Sequence, residues 1–383
     1  MSGFNCRAPQ ARAILLKIIC GCVLAGILVA GLWPFHAPTN EVSWLSNNEG
    51  LFFGKHGSIV STSQLKANGL QSDTSCSLEI WLQPSRVDSL GKGTILAFYR
   101  PESRFIPFSM RQFRDGLVLY SGSQGPMGKA EVYVGEVFND IRPTFVTISS
   151  GKSGTTVYVD GVLARDFTNF TVSSRDLTGQ LVIGNHPSTS YSWSGKLRGL
   201  AVYDRDLRAN EVSQDFIDWT AGRPTDHRSD SVISEGVVAR YPFDEGKGNI
   251  VHDRVDSAPN LAIPERFFVL NEQFLERPWD EYRADWSYWK DAGINIGGFI
   301  PLGFVFSAYF SMLKKFTPAT WLTIALGFVI SLTIEVLQAL LPTRDSGMTD
   351  LLTNTLGTAL GALLWAWSVK HVWIVQACLL KER

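Results

Sequence analysis

Apolar residues are spread unevenly along this chain: they gather in long runs at the two ends, and a polar, glycine-rich stretch lies between. The first run covers about Ala13 to Trp33, with Lys17 as its internal charge and Pro34 closing it. About 20 apolar residues, or about 30 Å of helix, cross the hydrocarbon core of a bilayer. Three further runs follow at about Ile294–Leu313, Thr320–Leu341 and Leu351–Val369. The pattern predicts an α-helical bundle of about four transmembrane spans. Val29-Ala30-Gly31 is a weak small-residue cleavage signal, so the first run is expected to stay as a span rather than leave as a signal peptide. The apolar tail His371–Leu380 is too short to cross.

Between roughly Leu51 and Ile250 the period changes to two. Ser77-Leu78-Glu79-Ile80-Trp81-Leu82 alternates as a half-buried strand does, and so do Thr155–Val159 and Gly195–Tyr203. Asp160-Gly161 after the second of these predicts a two-residue hairpin turn. Many short strands at close spacing mean an all-β antiparallel sandwich or jelly roll.

The basic residues orient this plan. Arg7, Arg12 and Lys17 flank the first run, Lys314 and Lys315 separate the second from the third, and Lys370 follows the last. Positive residues favour the cytoplasmic side, so both termini are expected in the cytoplasm and the middle domain outside. The expected division is a cytoplasmic tail at 1–12, transmembrane helix 1 at 13–35 and the outer β domain at 50–250. An outer connector follows at 251–290, then helices 2–4 at 291–369 and a second cytoplasmic tail at 370–383.

Composition adds little to this. A mean hydropathy of +0.04 averages the two kinds of sequence together. The net charge of −1 excludes a general electrostatic role in nucleic-acid binding. Of the five cysteines only Cys76 lies in the middle domain, which therefore has no internal disulfide and depends on its apolar core. No CxxC pair or His/Cys cluster suggests a metal site. Asp160, Asn185, Asp204 and Asp253 offer oxygens to calcium, but Asp and Asn are also turn formers, and no run has a calcium-loop pattern. No cofactor is expected, with calcium on the jelly roll as the alternative. Arg100, Arg104 and Arg111 with Phe105 and Phe108 are read as a solvated strand edge, and otherwise as a binding face.

The runs "SLEIWLQP" (Ser77–Pro84), "TTVYVDGVL" (Thr155–Leu163), "LVIGNH" (Leu181–His186) and "WSGKLRGLAVYDRDLRANEV" (Trp193–Val212) resemble the laminin-G/concanavalin A-like jelly roll. The resemblance implies a fold whose members bind sugars, lipids or proteins. Gly236–Pro264 resembles the segment that usually opens such a domain, yet it comes last here. Val237–Phe243 is therefore expected to pair back into the same sandwich.

The C-terminal spans carry polar residues that a plain anchor would not need. Asp291 and Asn295 open the second span, Glu335 and Gln338 share a face of the third at i, i+3, and Asp350 and Asn354 share a face of the fourth at i, i+4. Arg344 and Asp345 occupy the short loop between the last two. In the expected topology all of these lie within the outer leaflet or at its surface, with Glu335 roughly 9 Å deep at 1.5 Å per residue. A charge at that depth costs several kcal/mol unless it is paired or faces a polar pocket. Arg344 is expected to partner Glu335 or Asp350. Gly297, Gly298, Gly303 and the Gly357/Gly361 pair predict close helix packing.

"DAGINIGGFIPLGF" (Asp291–Phe304), "SLTIEVLQALLPTRDSGMTDLLTNTLGTALG" (Ser331–Gly361) and "PFHAPTN" (Pro34–Asn40) resemble the VanZ-like family of bacterial membrane proteins, some of them linked to resistance to teicoplanin-type glycopeptides. Carried over by position, its motif residues are Asp291, Asn295, Pro301, Glu335, Gln338, Arg344, Asp350 and Asn354. The departure from the family pattern is the large β domain in the first outer loop.

The leading expectation is a cell-envelope protein whose jelly roll binds a glycan, lipid-linked sugar or protein, while the bundle engages a lipid headgroup, such as a phosphate held by Arg344. Asp291, Asn295, Glu335, Gln338, Arg344, Asp350 and Asn354 form the candidate pocket. One alternative is a membrane enzyme acting on a lipid-linked precursor, with Glu335 or Asp350 as general base. Another is an anchored adhesive scaffold with no lipid site. No GxSxG, HExxH or Walker pattern assigns catalytic residues.

Overall fold

A computed structural model describes residues 7–46, 49–66, 75–87, 89–122, 130–221, 235–272, 274–282, 286–313, 316–344 and 346–381. The chain divides into two compact units: Met1–His36 with Glu272–Arg383, and Ala37–Asn271. Lys314, Lys315 and Asp345, used above for orientation and for the outer loop, lie outside the described residues.

The second unit is an antiparallel sandwich. Its strands are β1 (Val42–Trp44), β2 (Leu51–Phe53), β3 (Ile59–Ser61), β4 (Cys76–Pro84), β5 (Ser89–Arg100), β6 (Phe105–Arg114), β7 (Gly116–Ser121) and β8 (Ala130–Val134). They continue as β9 (Thr144–Gly151), β10 (Gly154–Val159), β11 (Val162–Phe167), β12 (Gln180–Ile183), β13 (Gly195–Tyr203), β14 (Val237–Tyr241), β15 (Ile250–Val251) and β16 (Leu261–Ala262). One sheet runs β1-β2-β13-β4-β9-β10-β11, and the other β15-β16-β3-β12-β5-β6-β7-β8. Alternation explains the core. Leu78, Ile80 and Leu82 of β4 point inward with Val146 and Ile148 of β9 and Leu197 and Leu200 of β13, all fully or almost fully buried. No disulfide is needed, and Cys76 is a free, buried thiol.

Asp160 and Gly161 both have positive φ, 50° and 77°, and close the β10–β11 hairpin as a tight primed turn requires. Two strands share one edge of β13: β2 pairs with Gly195–Leu197, and β14 pairs with Leu200–Tyr203. Val237–Tyr241 therefore does return to the sandwich. The next residues follow it, because β15 and β16 join the opposite sheet beside β3. The sandwich thus extends through 251–271, which sequence alone read as connector, because Val251, Leu261 and Phe267 are buried in it.

The first unit is helical, with α1 (Arg7–Leu32), α3 (Pro278–Glu281), α4 (Trp286–Leu313), α5 (Phe316–Gln338) and α6 (Met348–Lys381); α2 (Ala209–Thr220) belongs to the sandwich. Among the described residues three helical stretches are long and apolar enough to cross a membrane: Ala13–Leu32, Trp286–Leu313 and Ala319–Gln338. The predicted fourth span lies within the 34-residue α6. Asp350, Asn354 and four threonines between Thr349 and Thr358 dilute its apolar character. α1, α4 and α5 bury Phe299, Leu302, Ile330 and Ile334 among Val23, Leu24, Ile27 and Leu28.

Small residues bring α6 onto α4. A Cβ on Gly357 would overlap the Ile296 carbonyl oxygen, and one on Gly361 the Ile300 carbonyl oxygen. Gly303 is equally tight against Thr358, whereas Gly297 and Gly298, also expected at a tight interface, face open space. Exposed aromatic residues mark both ends of the bundle, Trp33, Trp279, Trp286 and Trp289 at one and Trp321 and Trp367 at the other. Such belts suit the two interfaces of a bilayer.

Candidate functional site

The polar residues of the helical unit converge. The end of α1, the start of α4, the end of α5 and the start of α6 line an open cavity of about 640 Å³. Asp291, Asn295, Glu335, Gln338, Arg344, Asp350 and Asn354 all line it. The i, i+3 and i, i+4 spacings put each pair on one helix face, and the packing turns those faces toward each other.

Hydrogen bonds hold several of these side chains. Asn295 Nδ2 donates to Asp350 Oδ1 at 2.7 Å, joining α4 to α6. Gln338 Nε2 donates to the Gly31 carbonyl at 2.8 Å, joining α5 to α1. Asn354 Nδ2 donates to Ser331 Oγ at 3.0 Å. Glu335, 1% exposed, accepts from the Gly347 backbone N–H at 2.9 Å.

Arg344 does not take the partner expected of it. Among the described residues its guanidinium bonds the Trp33 carbonyl, just past the end of α1, and Glu335 accepts from the Gly347 backbone N–H instead. The short α5–α6 loop turns Gly347 N–H, rather than the arginine, toward the Glu335 carboxyl group. The guanidinium has five N–H donors, so one bond leaves capacity for another group.

Several lining residues were not foreseen, notably Glu276, Glu281, Tyr288, Thr343 and Thr349. Glu276 runs beside the start of α6. Its N–H donates to the Ser346 carbonyl at 3.0 Å, and Met348 N–H donates to the Glu276 carbonyl at 2.9 Å. Glu281 accepts from Thr349 N–H at 3.2 Å. Glu276 precedes the one-turn α3 and Glu281 ends it, a stretch too short to show a period, so nothing in the chain pattern marks them.

The sandwich presents a different picture. Phe108 is fully buried and Arg111 pairs with Glu131, while Arg100 donates to the Arg175 carbonyl at 2.6 Å. Those residues do not form an open aromatic face. Asp160 accepts from Phe145 N–H at 2.9 Å, and Asp253 accepts from Arg240, Ser257 and Ala258 N–H groups at 2.8, 3.1 and 2.9 Å. Both act as turn residues. Among the described residues no group of three or more His, Cys, Asp or Glu side chains is placed to hold a metal ion.

Beneath α2 lies a buried acid, Glu79, which accepts from the Tyr203 hydroxyl at 2.8 Å. Burial, then the nearby Asp215 charge, push its carboxyl group up to about 8. His186 is pushed down to about 4 by burial and by Arg111.

An apolar helix bundle with an open cavity lined by polar side chains and an antiparallel β-sandwich together define a two-part membrane protein. The VanZ/LLP1 family model matches residues 237–370, and that of the concanavalin A-like lectin/glucanases superfamily matches 55–213. The chain thus combines a VanZ-like region with a concanavalin A-like domain.

Three solved structures are similar to part of the chain. A candidate carbohydrate binding protein of Bacteroides ovatus is 13% identical, over 61% of this chain and 62% of that one, with a TM-score of 0.40. The chain therefore spans less than two thirds of that protein. A carbohydrate-binding module of a Ruminococcus gnavus sialidase, bound to α2,3-sialyllactose, is 9% identical over 44% and 96%, with a TM-score of 0.34. A heptameric pentraxin of Limulus polyphemus is 19% identical over 41% and 73%, with a TM-score of 0.31. No curated protein matches the chain.

Proposed function

We propose that this chain is a cell-envelope receptor whose helical bundle holds the polar headgroup of a membrane lipid, and whose sandwich binds a glycan outside the membrane. The convergence of seven polar side chains from three helices and a loop on one cavity carries this reading. Buried polar groups are costly in a bilayer unless they serve each other or a ligand. A cavity of several hundred Å³ with convergent polar groups has the size of a small-molecule site. Both termini lie in the cytoplasm on this reading, and the cavity opens within the outer leaflet.

The test is to purify the chain with Glu335→Gln, Arg344→Ala or Asp350→Asn at matched membrane levels and to identify the lipids that accompany each. A lipid held by the unaltered chain and lost from the variants supports the reading. Identical lipid content in all four, with only folding impaired, overturns it.

A further inference from the structure

Two aromatic side chains stand in solvent at one end of the second sheet, where β6, β7 and β8 finish it. Met110, Leu117, Leu119 and Val134 of these strands lie in the core, so by alternation Arg111, Phe113, Val118, Glu131 and Tyr133 point outward. The register sets Arg111, Val118 and Tyr133 in one row across the three strands, with Phe113 opposite Gly116 in the next. Phe113 is 37% exposed and Tyr133 44%, and their rings meet edge to face at 6.2 Å.

The pair is held in place. A Cβ on Gly116 would come within 2.7 Å of the Tyr133 ring, so the ring occupies space that any larger residue at 116 would fill. The Tyr133 hydroxyl donates to Asp115 Oδ1 at 2.8 Å. The Arg114 guanidinium stands 5.5 Å from the centre of the Phe113 ring, and Arg111 pairs with Glu131 beside it. Rings already fixed lose little side-chain freedom when a ligand arrives. Two rings that each expose less than half of themselves fall well short of the about 800 Å² per partner that a stable protein interface buries. A pyranose fits the patch better. Its C–H face stacks on an aromatic ring, and the hydroxyls around its rim exchange hydrogen bonds with charged side chains.

Building on the proposed glycan-binding role of the sandwich, we propose that the Phe113–Tyr133 pair is where the glycan binds, by stacking of a pyranose ring and without a bound metal ion. Asp115 and the Arg111–Glu131 pair then serve the hydroxyls at the rim. A carboxylate that accepts one bond has lone pairs left for another.

The experiment applies the full chain, held in lipid nanodiscs, to a printed array of glucose-, N-acetylglucosamine-, galactose-, mannose- and sialic acid-terminated oligosaccharides, with and without EDTA. The strongest binder is then titrated against variants whose melting matches the unaltered chain. The expected result is binding that survives EDTA and falls at least ten-fold in Tyr133→Ala, in Tyr133→Leu and in Phe113→Ala. Tyr133→Leu keeps apolar bulk and removes only the aromatic face. Tyr133→Phe keeps the ring and should stay within three-fold of the unaltered chain. Leu163→Ala, 58% exposed on β11 of the other sheet, should change nothing. Glycan binding that persists in Tyr133→Leu and Phe113→Ala, or that EDTA abolishes, overturns this site while leaving a glycan-binding sandwich in place. No binding by the unaltered chain to any glycan on the array overturns the glycan reading itself, and this site with it.

Discussion

The Glu335 carboxyl group, deep in the α5 face of the bundle, is capped by the backbone N–H of Gly347 at 2.9 Å. The loop between α5 and α6 is thereby tied to a side chain one helical turn before the helix ends. Glu335→Ala leaves that N–H buried without an acceptor, which costs about 1–3 kcal/mol. Thermal unfolding of the detergent-solubilised chain should show a clear drop in Tm for Glu335→Ala. Glu335→Gln, which keeps an acceptor oxygen, should lose less than half as much. Equal losses would mean that the bond does not stabilise the bundle.

The glycines of the bundle separate into two kinds. Gly361→Ala places a methyl group on the Ile300 carbonyl and must force α4 and α6 apart. Overpacking of this kind costs typically about 1–3 kcal/mol. Gly297→Ala meets nothing within 4 Å and removes a helix-weakening glycine, so its Tm should hold or rise slightly. A melting comparison of the two variants checks the α4–α6 contact directly.

Tyr241 on β14 is fully buried, and its hydroxyl donates to the Pro259 carbonyl at 2.6 Å. Tyr241→Phe removes that bond and should cost about 1 kcal/mol. Tyr241→Ala opens a cavity and should cost about 3–5 kcal/mol, as large aromatic truncations do. Denaturant unfolding of the full chain, followed in the sandwich transition, measures both. A negligible effect of the alanine variant would mean that β14 is dispensable to the sandwich.

Glu79 makes the sandwich sensitive to pH. Its carboxyl group is raised from 4.5 to about 8, so the folded state binds a proton more tightly than the unfolded state between those values. The resulting stability is fully present below about 4.5 and is lost as pH rises through about 8. The sandwich transition should therefore fall in Tm from pH 5 to pH 9. In Glu79→Gln, which still accepts from Tyr203, the slope should flatten. An unchanged slope would assign the pH response to other groups.

Local periodicity made much of this fold legible. The alternation in Ser77–Leu82 became β4, and Asp160-Gly161 became the expected hairpin turn. Glu335 and Gln338 share a helix face as their spacing required. What each bonds was beyond the pattern: one takes the Gly347 N–H and the other the Gly31 carbonyl, partners 12 and 307 residues away. Charge alone pairs Arg344 with a carboxylate, yet the guanidinium bonds the Trp33 carbonyl. Glu276 and Glu281 escape the pattern because the one-turn α3 and the residues before it are too short to show a period from which to infer a facing direction. The extension of the sandwich through Leu261 and Phe267 escaped for the same reason, since β15 and β16 are only two residues long.

The sandwich is inserted between α1 and the other helices of its own bundle, and this imposes an order on biosynthesis. Cys20 of α1 faces the Val305 carbonyl of α4 at 3.8 Å, and Gly31 abuts Ile334 of α5. Neither partner exists when α1 leaves the ribosome. Some 250 residues must be translated before α4 begins, about 12–50 s at 5–20 residues per second. For that interval α1 has only lipid or the insertion machinery as company, while the sandwich has time to close. The cavity is therefore the last feature of the molecule to exist, and a chain stalled before α6 carries a complete sandwich without one.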